Sequence, residues 1–399
     1  MRREIPADPS ELTSDWLTRA LRAGGVLEKA RVVAFEAEPI GEGEGFTGAL
    51  ARVSLRYDRE EAGAPSTLIA KFPTADATTR ASVEAMQAYE HEIRFYDELA
   101  DAVPMRVPRR YFGDMDPNPL ERVQRGIQRF FNALPVWLLR LLLRPLLAFA
   151  RSSNRRYVLL LEDLAPERVG NQLEGADAKR AADCVRAVAA HHAAFWQSQA
   201  LDRLRWLPSI DYGAPTLQAL FKRSRAAFFE DYAGRLPPAL AEAADWIDRH
   251  GVAIARHLAS PPVTLIHGDF RLDNMFFRES GPPAPMAVDW QLVARARGVW
   301  DVAYFMTTNL RHDEVHAEPE LLSLYHAELV RHGVESYALD DCVRDYQLGK
   351  LLLVQRLIAA HGLITIDGER GAALQNLMLE RLMKLLPKGP YAGLLGPGR

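Results

Sequence analysis

Apolar and β-branched residues are concentrated in short segments along the first 160 residues of the chain, and turn-forming residues separate these segments. The pattern predicts β-strands at five places: Arg31–Ile40, Ala49–Tyr57, Thr67–Phe72, Arg110–Phe112 and Tyr157–Leu161. Before the fourth strand, apolar residues recur at helical spacing and predict one helix over Ala81–Leu99, with Met86, Tyr89, Ile93 and Tyr96 at that spacing. The early part of the chain is therefore predicted to be rich in strands.

Beyond Asp163 the apolar residues follow a helical period over long stretches. Helices are predicted at Ala176–Gln197, Leu217–Tyr232 and Pro238–His257, and over most of Val299 to Leu386. Short strands are predicted between them at Val263–Ile266, Met275–Phe277 and Ala287–Val288. A strand-rich part followed by a helix-rich part predicts an α+β fold with two lobes and a cleft between them. We expect an N-lobe at residues 1–163 and a helical C-lobe at residues 164–399.

Composition and charge exclude several classes of protein. The formal net charge of −3 is typical of neither a DNA- nor an RNA-binding protein, which carries a strongly basic balance, so we expect no nucleic-acid partner. Two cysteines, Cys184 and Cys342, are too few for a disulfide framework or a zinc site. The longest apolar stretch, Leu134–Ala150, is interrupted by Arg140 and Arg144 and is too short to span a membrane. With no secretory signal pattern at the start, these features predict a cytoplasmic protein, at most peripheral at a membrane.

The strongest chemical signal is His-Gly-Asp-Phe-Arg-Leu-Asp-Asn at residues 267–274, which lies between two predicted strands. A third carboxylate, Asp289, follows another apolar strand. Phosphoryl transfer needs a carboxylate that receives or orients the proton of the attacking hydroxyl, and Asp269 suits that task. It also needs oxygen ligands for Mg²⁺, and Asn274 and Asp289 supply amide and carboxylate oxygens. Asp and Asn also favour turns on their own account, so a structural role in loops is the alternative interpretation.

The same residues carry a resemblance to a known group of enzymes. His-Gly-Asp followed by four residues and Asn resembles the catalytic loop of the aminoglycoside phosphotransferase and choline kinase group, whose members share the protein-kinase-like fold. Val-Asp-Trp-Gln at residues 288–291 resembles their counterpart of the kinase Asp-Phe-Gly element. Residues 270–274 and 298–305 are most similar to the ecdysteroid-kinase-like branch and its bacterial relatives. The resemblance extends from about Ile40 to Phe305 and implies a bilobed fold with a small antiparallel sheet and a larger helical lobe.

The resemblance also implies a nucleotide site. A lysine that contacts the phosphates is expected at the end of an early strand, and Lys71 occupies that position. A helical glutamate should pair with this lysine; Glu92 matches the family pattern, and Glu90 is the alternative. A solvated role at the end of a strand remains open for Lys71, and an ordinary role on a helix surface remains open for Glu92.

Two further segments complete the expected nucleotide site. The turn Gly41–Gly48, which includes Gly43 and Gly45, corresponds to the segment that covers the ATP phosphates, although its glycine spacing departs from that of protein kinases. It can also be a plain hairpin turn. The segment around Glu162 and Leu164 resembles the hinge whose backbone groups hold adenine.

These features predict an ATP- and Mg²⁺-dependent enzyme that phosphorylates a hydroxyl group of a small molecule. A pseudokinase that binds or scaffolds is the alternative from another class, although every residue that the chemistry requires is present. A metal-dependent hydrolase is disfavoured because the motif offers one histidine and several oxygen ligands, which suit Mg²⁺ better than a first-row transition metal. No pattern in the sequence indicates an oligomeric state.

The acceptor is indicated only weakly. Aromatic residues are frequent in the helical part and favour an apolar alcohol, such as a steroid-like or acyl compound, over an antibiotic: Phe195, Trp196, Trp206, Phe228, Phe229, Tyr232 and Trp246. Most aromatic residues of this kind belong to protein cores in any case.

A segment at about residues 115–155 exceeds the short connection expected in the family. Residues 121–156 contain eight arginines, one glutamate and no lysine or aspartate. Apolar residues fall on one predicted helical face: Leu120, Val123, Ile127, Phe130, Phe131 and Leu134. Three interpretations stay open, namely an α-hairpin packed on the small lobe or another subunit, a lid over an apolar acceptor, and a membrane contact through about residues 119–156.

Overall fold

The computed structural model describes residues 5–40, 48–118, 121–142, 155–278, 285–361 and 369–396. The chain forms two compact units. The first comprises Met1–Ala102, Val107–Glu121 and Arg144–Glu167. The second comprises Val103–Arg106, Arg122–Leu143 and Arg168–Arg399.

A five-stranded antiparallel sheet lies at the centre of the first unit. Its strands are β1 (Val32–Ile40), β2 (Gly48–Tyr57), β3 (Thr67–Pro73), β4 (Arg110–Met115) and β5 (Tyr157–Glu162). They lie in the order β1-β2-β3-β5-β4. The register places Lys71 of β3 between Leu50 of β2 and Leu159 of β5, which fixes the backbone of this lysine on both sides.

One helix covers part of this sheet. Helix α1 (Ser14–Ala23) begins after Thr13, whose hydroxyl accepts a hydrogen bond from the backbone N–H of Trp16 at 3.1 Å. Its apolar face, with Trp16 and Leu17, is buried with the sheet residues Val53, Leu68 and others in one core. Burial of this face stabilises the sheet whose third strand carries Lys71.

The predicted helix over Ala81–Leu99 is two helices in the structure, α2 (Ala77–Ala85) and α3 (Ala88–Glu98). The break is at Gln87, which adopts a left-handed conformation with φ 56°. A residue in that conformation ends a right-handed helix, although the apolar spacing continues across it. Met86, expected at the buried spacing, is 47% exposed at this break.

The second unit is mainly helical. Its helices are α4 (Glu121–Ala133), α5 (Ala178–Ala194), α6 (Gln199–Arg203), α7 (Ala214–Asp231), α8 (Pro238–Leu258), α9 (Val299–Asn309), α10 (Glu318–Arg331), α11 (Leu339–Ala360) and α12 (Glu369–Lys384). Its short strands are β6 (Arg168–Val169), β7 (Thr264–Ile266), β8 (Met275–Phe277), β9 (Met286–Ala287) and β10 (Ala294–Ala296). The strands form a pair, β10-β7, and a three-stranded sheet, β6-β8-β9. A small antiparallel sheet in one unit and a helical majority in the other confirm the predicted α+β class.

The core of the second unit is built around α7, α8 and α11. Most of the aromatic residues that favoured an apolar acceptor are part of this core or pack against it: Phe228, Phe229, Tyr232 and Trp246. A buried carboxylate, Asp345, lies beside the core. It accepts hydrogen bonds from His257 at 2.7 Å, Arg297 at 2.6 Å and the hydroxyl of Tyr337 at 2.8 Å. A buried charge with three partners of this kind ties α8 and α11 to the chain that precedes α9.

Two helical stretches of the arginine-rich segment are described, α4 and residues 136–142. Leu139 is fully buried against Ala219 of α7, so this part of the segment packs on a helix of the second unit. Four large apolar side chains of the segment are exposed: Ile127 by 40%, Phe130 by 61%, Trp137 by 64% and Leu141 by 69%. Residues 119–120 and 143–154 of the segment lie outside the described residues. Within the part of the chain that the structure describes, no helix combines the length and apolar character needed to cross a membrane.

Candidate active site

The first unit joins Lys71 to Glu92. The Lys71 Nζ lies 2.6 Å from Glu92 Oε1, and the two side chains are 15% and 4% exposed. Glu90, the alternative partner, is instead engaged by Arg94 at 3.0 Å and Arg155 at 3.2 Å. Strand β3 and helix α3 thus bring Lys71 together with a buried carboxylate that orients its side chain.

The expected hinge follows β5 in the same unit. Glu162 ends the strand, where its backbone N–H donates to the carbonyl of Arg109 at 2.8 Å and its carboxylate accepts from the N–H of Arg109 at 3.0 Å. Leu164 is buried, and its carbonyl accepts from Glu167 at 2.9 Å. Among the described residues its own N–H has no hydrogen-bond partner, which leaves a backbone donor for a ligand. Gly43 and Gly45 lie outside the described residues.

The loop that carries Asp269 begins directly after β7. Gly268 adopts φ +86°, and a Cβ at this position would lie 2.0 Å from the backbone oxygen of Leu292. Only glycine satisfies both constraints, because other residues avoid this conformation and need the space that Leu292 occupies. The glycine therefore sets how closely the loop approaches the turn that follows Asp289.

Asp301 of α9 binds the backbone of this loop. Its carboxylate is fully buried and accepts hydrogen bonds from the backbone N–H of His267 at 2.7 Å and of Gly268 at 2.9 Å. It also lies 3.2 Å from His192 Nε2 of α5. His267 makes a further contact, at 3.0 Å between its Nε2 and the carbonyl of Val288. Both residues therefore hold the loop in place.

Asp269 lies among polar partners. Its Oδ2 is 3.1 Å from Arg271 Nε and accepts a hydrogen bond from Asn274 Nδ2 at 2.9 Å. The Tyr304 hydroxyl lies near enough to favour the charged form of this carboxylate. Burial raises the pKa of Asp269, but the positive charge of Arg271, the Tyr304 hydroxyl, His267 and Asn274 together outweigh burial and hold this pKa below its ordinary value. The carboxylate is therefore ionised at neutral pH and able to receive a proton.

Asn274 and Asp289 lie on adjacent backbone. Asn274 precedes β8, and the N–H of Val288 donates to its carbonyl at 3.0 Å, which places Asp289 one residue beyond the contact. The Asn274 Nδ2 donates to two oxygens of Asp269, at 2.9 and 3.0 Å, so its amide oxygen is directed elsewhere. Asp289 has φ 65° and ψ 62°, a conformation that residues with side chains seldom adopt and that clusters at functional sites.

Asn274 and Asp289 offer oxygen atoms of the kind that usually bind Mg²⁺ in proteins. Mg²⁺ is bound by one or two protein oxygens, and phosphate oxygens and water complete its shell. Asn274 supplies an amide oxygen and Asp289 a carboxylate. Within the described residues, no group of three or more His, Cys, Asp and Glu side chains has metal-site geometry. The set is therefore suited to a cation that arrives with phosphates.

The comparison with protein families decides the identity of the chain. The model of the ecdysteroid kinase-like family matches residues 42–335, most of the chain. The chain belongs to the ecdysteroid kinase-like family. The predicted resemblance is confirmed, and with it the enzyme class, a small-molecule phosphotransferase that acts on hydroxyl groups. No curated protein sequence matches this family member.

Solved structures confirm the fold of this ecdysteroid kinase-like protein. It is similar to an ethanolamine kinase from Plasmodium vivax, with a TM-score of 0.50 and 10% identity over 91% of this chain and 84% of that chain. It is also similar to a choline kinase from Cryptosporidium parvum, with a TM-score of 0.50 and 9% identity over 88% of this chain and 90% of that chain. At such low identity the likeness is one of fold, and it supports the predicted protein-kinase-like architecture.

The structure brings the predicted residues of the ecdysteroid kinase-like protein together in two groups. Lys71 pairs with Glu92 in the first unit, and Asp269 lies with Asn274 and near Asp289 in the second. Three residues at the second group have no assigned role in the sequence pattern: Arg271, Tyr304 and Arg356. Arg271 and Tyr304 lie inside the matched motifs. Their polar side chains stand among apolar neighbours in the sequence, and this contrast could have marked them as site residues. Arg356 is on α11, outside every motif.

Proposed function

We propose that the protein transfers the γ-phosphoryl group of ATP, as its Mg²⁺ complex, to a hydroxyl group of a small molecule. The observation that carries this proposal is the arrangement around Asp269. An ionised carboxylate accepts a hydrogen bond from an asparagine whose amide oxygen remains as a metal ligand, and a second carboxylate follows the neighbouring strand. Phosphoryl transfer needs these groups at one place, a proton acceptor beside the ligands of a phosphate-bound cation.

The first unit supplies nucleotide binding in this proposal. Lys71, held in one orientation by Glu92, binds the α- and β-phosphates through its ammonium group. The N–H of Leu164 donates to adenine, and the carbonyl of Glu162 accepts from it. Gly43 and Gly45 cover the phosphates by the family resemblance.

The second unit supplies the chemistry. Bound Mg²⁺-ATP provides the phosphoryl group and neutralises its developing charge. Asn274 and Asp289 would hold the cation. Asp269 accepts a hydrogen bond from the acceptor hydroxyl and takes its proton as the new oxygen–phosphorus bond forms, while the bond from the γ-phosphorus to the bridging oxygen breaks and ADP leaves. Arg271 keeps Asp269 charged until the proton arrives. Rate enhancement then arises chiefly from positioning and charge stabilisation.

Thermal unfolding with and without Mg²⁺-ATP tests the nucleotide site. Ligand at about a hundred times its dissociation constant stabilises the native state by about 2.7 kcal/mol. Wild type should show an upward shift that requires both Mg²⁺ and ATP, and Asp289→Ala should lose most of it. Glu230→Ala, which removes an exposed carboxylate on α7, is the matched control and should behave as wild type. No shift in wild type at millimolar ATP would contradict the proposal.

Formation of ADP separates the kinase from a pseudokinase. A kinase releases ADP faster when an acceptor hydroxyl compound is added, and the release disappears in Asp269→Asn. A pseudokinase shows the thermal shift in wild type without ADP release in any acceptor screen. Since the required residues are all present and the chain belongs to a kinase-like family, we expect the first result.

The proposed acceptor is a small hydroxyl compound. An apolar alcohol such as a steroid-like or acyl compound was favoured by aromatic residues of the helical part. Phe228, Tyr232 and Trp246 are buried in the core of the second unit, so they contribute stability and do not support an apolar acceptor. Fold does not choose among acceptors, because related folds host different substrates.

We also propose a contact with an anionic membrane surface through the arginine-rich segment. Phe130, Trp137 and Leu141 are each more than 60% exposed, and solvent-exposed Arg129 and Arg140 lie among them. Large exposed apolar side chains next to arginines are typical of segments that lie in a membrane interface. In this proposal the protein is cytoplasmic and reversibly peripheral.

A further inference from the structure

Arg356 lies beside the catalytic loop without belonging to it. The residue is on α11, and its guanidinium stacks on the ring of Trp300 with 4.4 Å between Cζ and the ring centroid. The indole N–H of Trp300 donates to the carbonyl of Gly268 at 3.3 Å. Because Gly268 directly precedes Asp269, the stack ties the position of this guanidinium to the proposed proton acceptor.

The guanidinium of Arg356 contacts the Trp300 ring and, among the described residues, has no carboxylate within ion-pair distance. Among the described residues it makes no hydrogen bond and no ion pair, although its side chain is only partly exposed. Burial lowers the pKa of Arg356 to about 10, while the Tyr304 hydroxyl and Asp269 act in the opposite direction. The side chain therefore remains a cation at neutral pH.

Two other arginines of the second unit, Arg297 and Arg381, donate to acceptors in the protein, although Arg381 Nε has no partner among the described residues. Arg297 donates to Asp345 at 2.6 Å and to the carbonyl of Pro261 at 2.6 Å. Arg381 donates to the carbonyl of Gln172 at 2.6 Å and to that of Thr308 at 2.9 Å. A partly buried charge normally has such partners, since leaving it unpaired is costly. Among the described residues the donors of Arg356 have no protein acceptor, so they are available to an anion.

We propose that Arg356 binds an anionic group, a carboxylate or a phosphate, on the acceptor itself. The enzyme would then select hydroxyl compounds that carry a negative charge near the hydroxyl to be phosphorylated. This inference rests on the proposed kinase function and specifies its substrate class. A guanidinium suits the task because its planar donors form paired, charge-assisted hydrogen bonds with either oxyanion. Stacking on Trp300 orients the group before the acceptor arrives.

The test uses sets of matched compounds that differ only in charge. Hydroxycarboxylic acids with the hydroxyl at successive positions along the chain are compared with their methyl esters and with the corresponding phosphate monoesters. Each compound is assayed for thermal stabilisation without nucleotide and for ADP formation with Mg²⁺-ATP. The proteins are wild type, Arg356→Gln, Arg356→Lys and, as the control, Arg331→Gln, which changes an exposed arginine of α10.

For at least one spacing, wild type and Arg331→Gln should prefer the anion over its ester by about 10- to 100-fold in kcat/KM, the range expected for a hydrogen-bonded charge pair. In Arg356→Gln this ratio should fall to about one, and Arg356→Lys should restore part of it. The KM for ATP should stay within about twofold of wild type. A preference for phosphate monoesters over acids identifies phosphate as the group that is bound.

Three results would overturn the inference. One is a wild type that is stabilised by acids and phosphates no more than by esters. Another is an anion preference that persists in Arg356→Gln. The third is a loss confined to the KM for ATP, which would assign Arg356 to the nucleotide. Acid-selective stabilisation that depends on Arg356, without ADP formation from any acceptor, would instead refute the kinase function and leave the anion site in place.

Discussion

Asp269 combines burial, which disfavours its charge, with four neighbours that favour it. The effect of the neighbours exceeds that of burial, so the pKa of Asp269 in the folded state is lowered and this carboxylate is ionised before the substrate binds. A carboxylate whose pKa is lower in the folded state stabilises the fold above its unfolded-state pKa. This stabilisation is lost as the pH falls through the folded-state pKa, so acid destabilises the loop as well as removing the proton acceptor. Activity should therefore be level from about pH 5 to neutrality and fall only in more acidic solution.

Replacement of Asp269 by Asn removes the proton acceptor and keeps the side-chain shape. We expect kcat to fall by about 10²- to 10⁴-fold, the range for loss of a general base, with ATP affinity within about twofold. Steady-state kinetics and a nucleotide thermal shift on the same preparation measure the two effects. A loss of ATP affinity as large as the loss of kcat would place Asp269 in nucleotide binding instead.

Replacement of Arg271 by Gln removes the largest influence that opposes the effect of burial on Asp269. The pKa of Asp269 should rise, so the acidic limb of the kcat/KM profile should move to higher pH, while Arg271→Lys should keep it near the wild-type position. The measurement is the rate from pH 4 to 8. An unmoved limb in Arg271→Gln would show that Arg271 does not control this carboxylate.

At the residue scale the sequence identified Asp269, Asn274 and Asp289 because they lie in or near one short motif. Tyr304 was visible in a second motif without a role, since nothing local shows that its hydroxyl reaches Asp269. Arg356 was invisible, because its place beside Trp300 results from the packing of α9 against α11. Contacts that form through tertiary packing are not reflected in the spacing of residues along the sequence.

At the scale of elements, the catalytic loop depends on the helix that follows it. Asp301 of α9 accepts from two backbone N–H groups of the loop, and these donors have no access to water. Asp301→Ala should lower the free energy of unfolding by about 2–5 kcal/mol, because two buried donors lose their acceptor. Denaturant unfolding measures this, with Asp313→Ala, an exposed carboxylate, as the control. A change below about 1 kcal/mol would mean that the loop finds other acceptors.

The break between α2 and α3 was missed because apolar spacing continues through Met86 and carries no information on the conformation of Gln87. Only the backbone angle reveals it. Gln87→Gly should stabilise the protein by about 0.5–1 kcal/mol, because glycine adopts this conformation without steric cost, while Gln87→Ala should not. Thermal unfolding of the pair checks the assignment. Destabilisation by glycine would favour a continuous helix.

At the scale of the whole molecule, the order of strands and helices was predictable because each has a regular period. The place of the arginine-rich segment was not. Linear order put it with the strands of the first part, whereas Leu139 is buried against Ala219, some 80 positions further along the sequence. Burial at such a separation is decided by the surfaces available after folding, which no local pattern records.

The exposed side chains of this segment lead to a test of membrane contact. Phe130→Ser with Trp137→Ser should reduce sedimentation with anionic vesicles by at least about tenfold, because burial of a large aromatic side chain contributes about 1.5–3 kcal/mol. Val330→Ser, an equally simple change at an exposed apolar residue of α10, should have no effect. Equal binding by the double variant, or none by wild type, would rule out the contact.

The two glutamates of α3 connect the arginine-rich segment to Lys71 of the proposed nucleotide site. Glu90 binds Arg155, at the point where that segment enters β5, while Glu92 binds Lys71. One helix thus contacts both the arginine-rich segment, through Glu90, and Lys71, through Glu92. A ligand of the segment that displaces α3 would also displace Lys71 of the proposed nucleotide site and so change the affinity for ATP. Thermodynamic reciprocity then requires that ATP change the affinity for that ligand by the same factor.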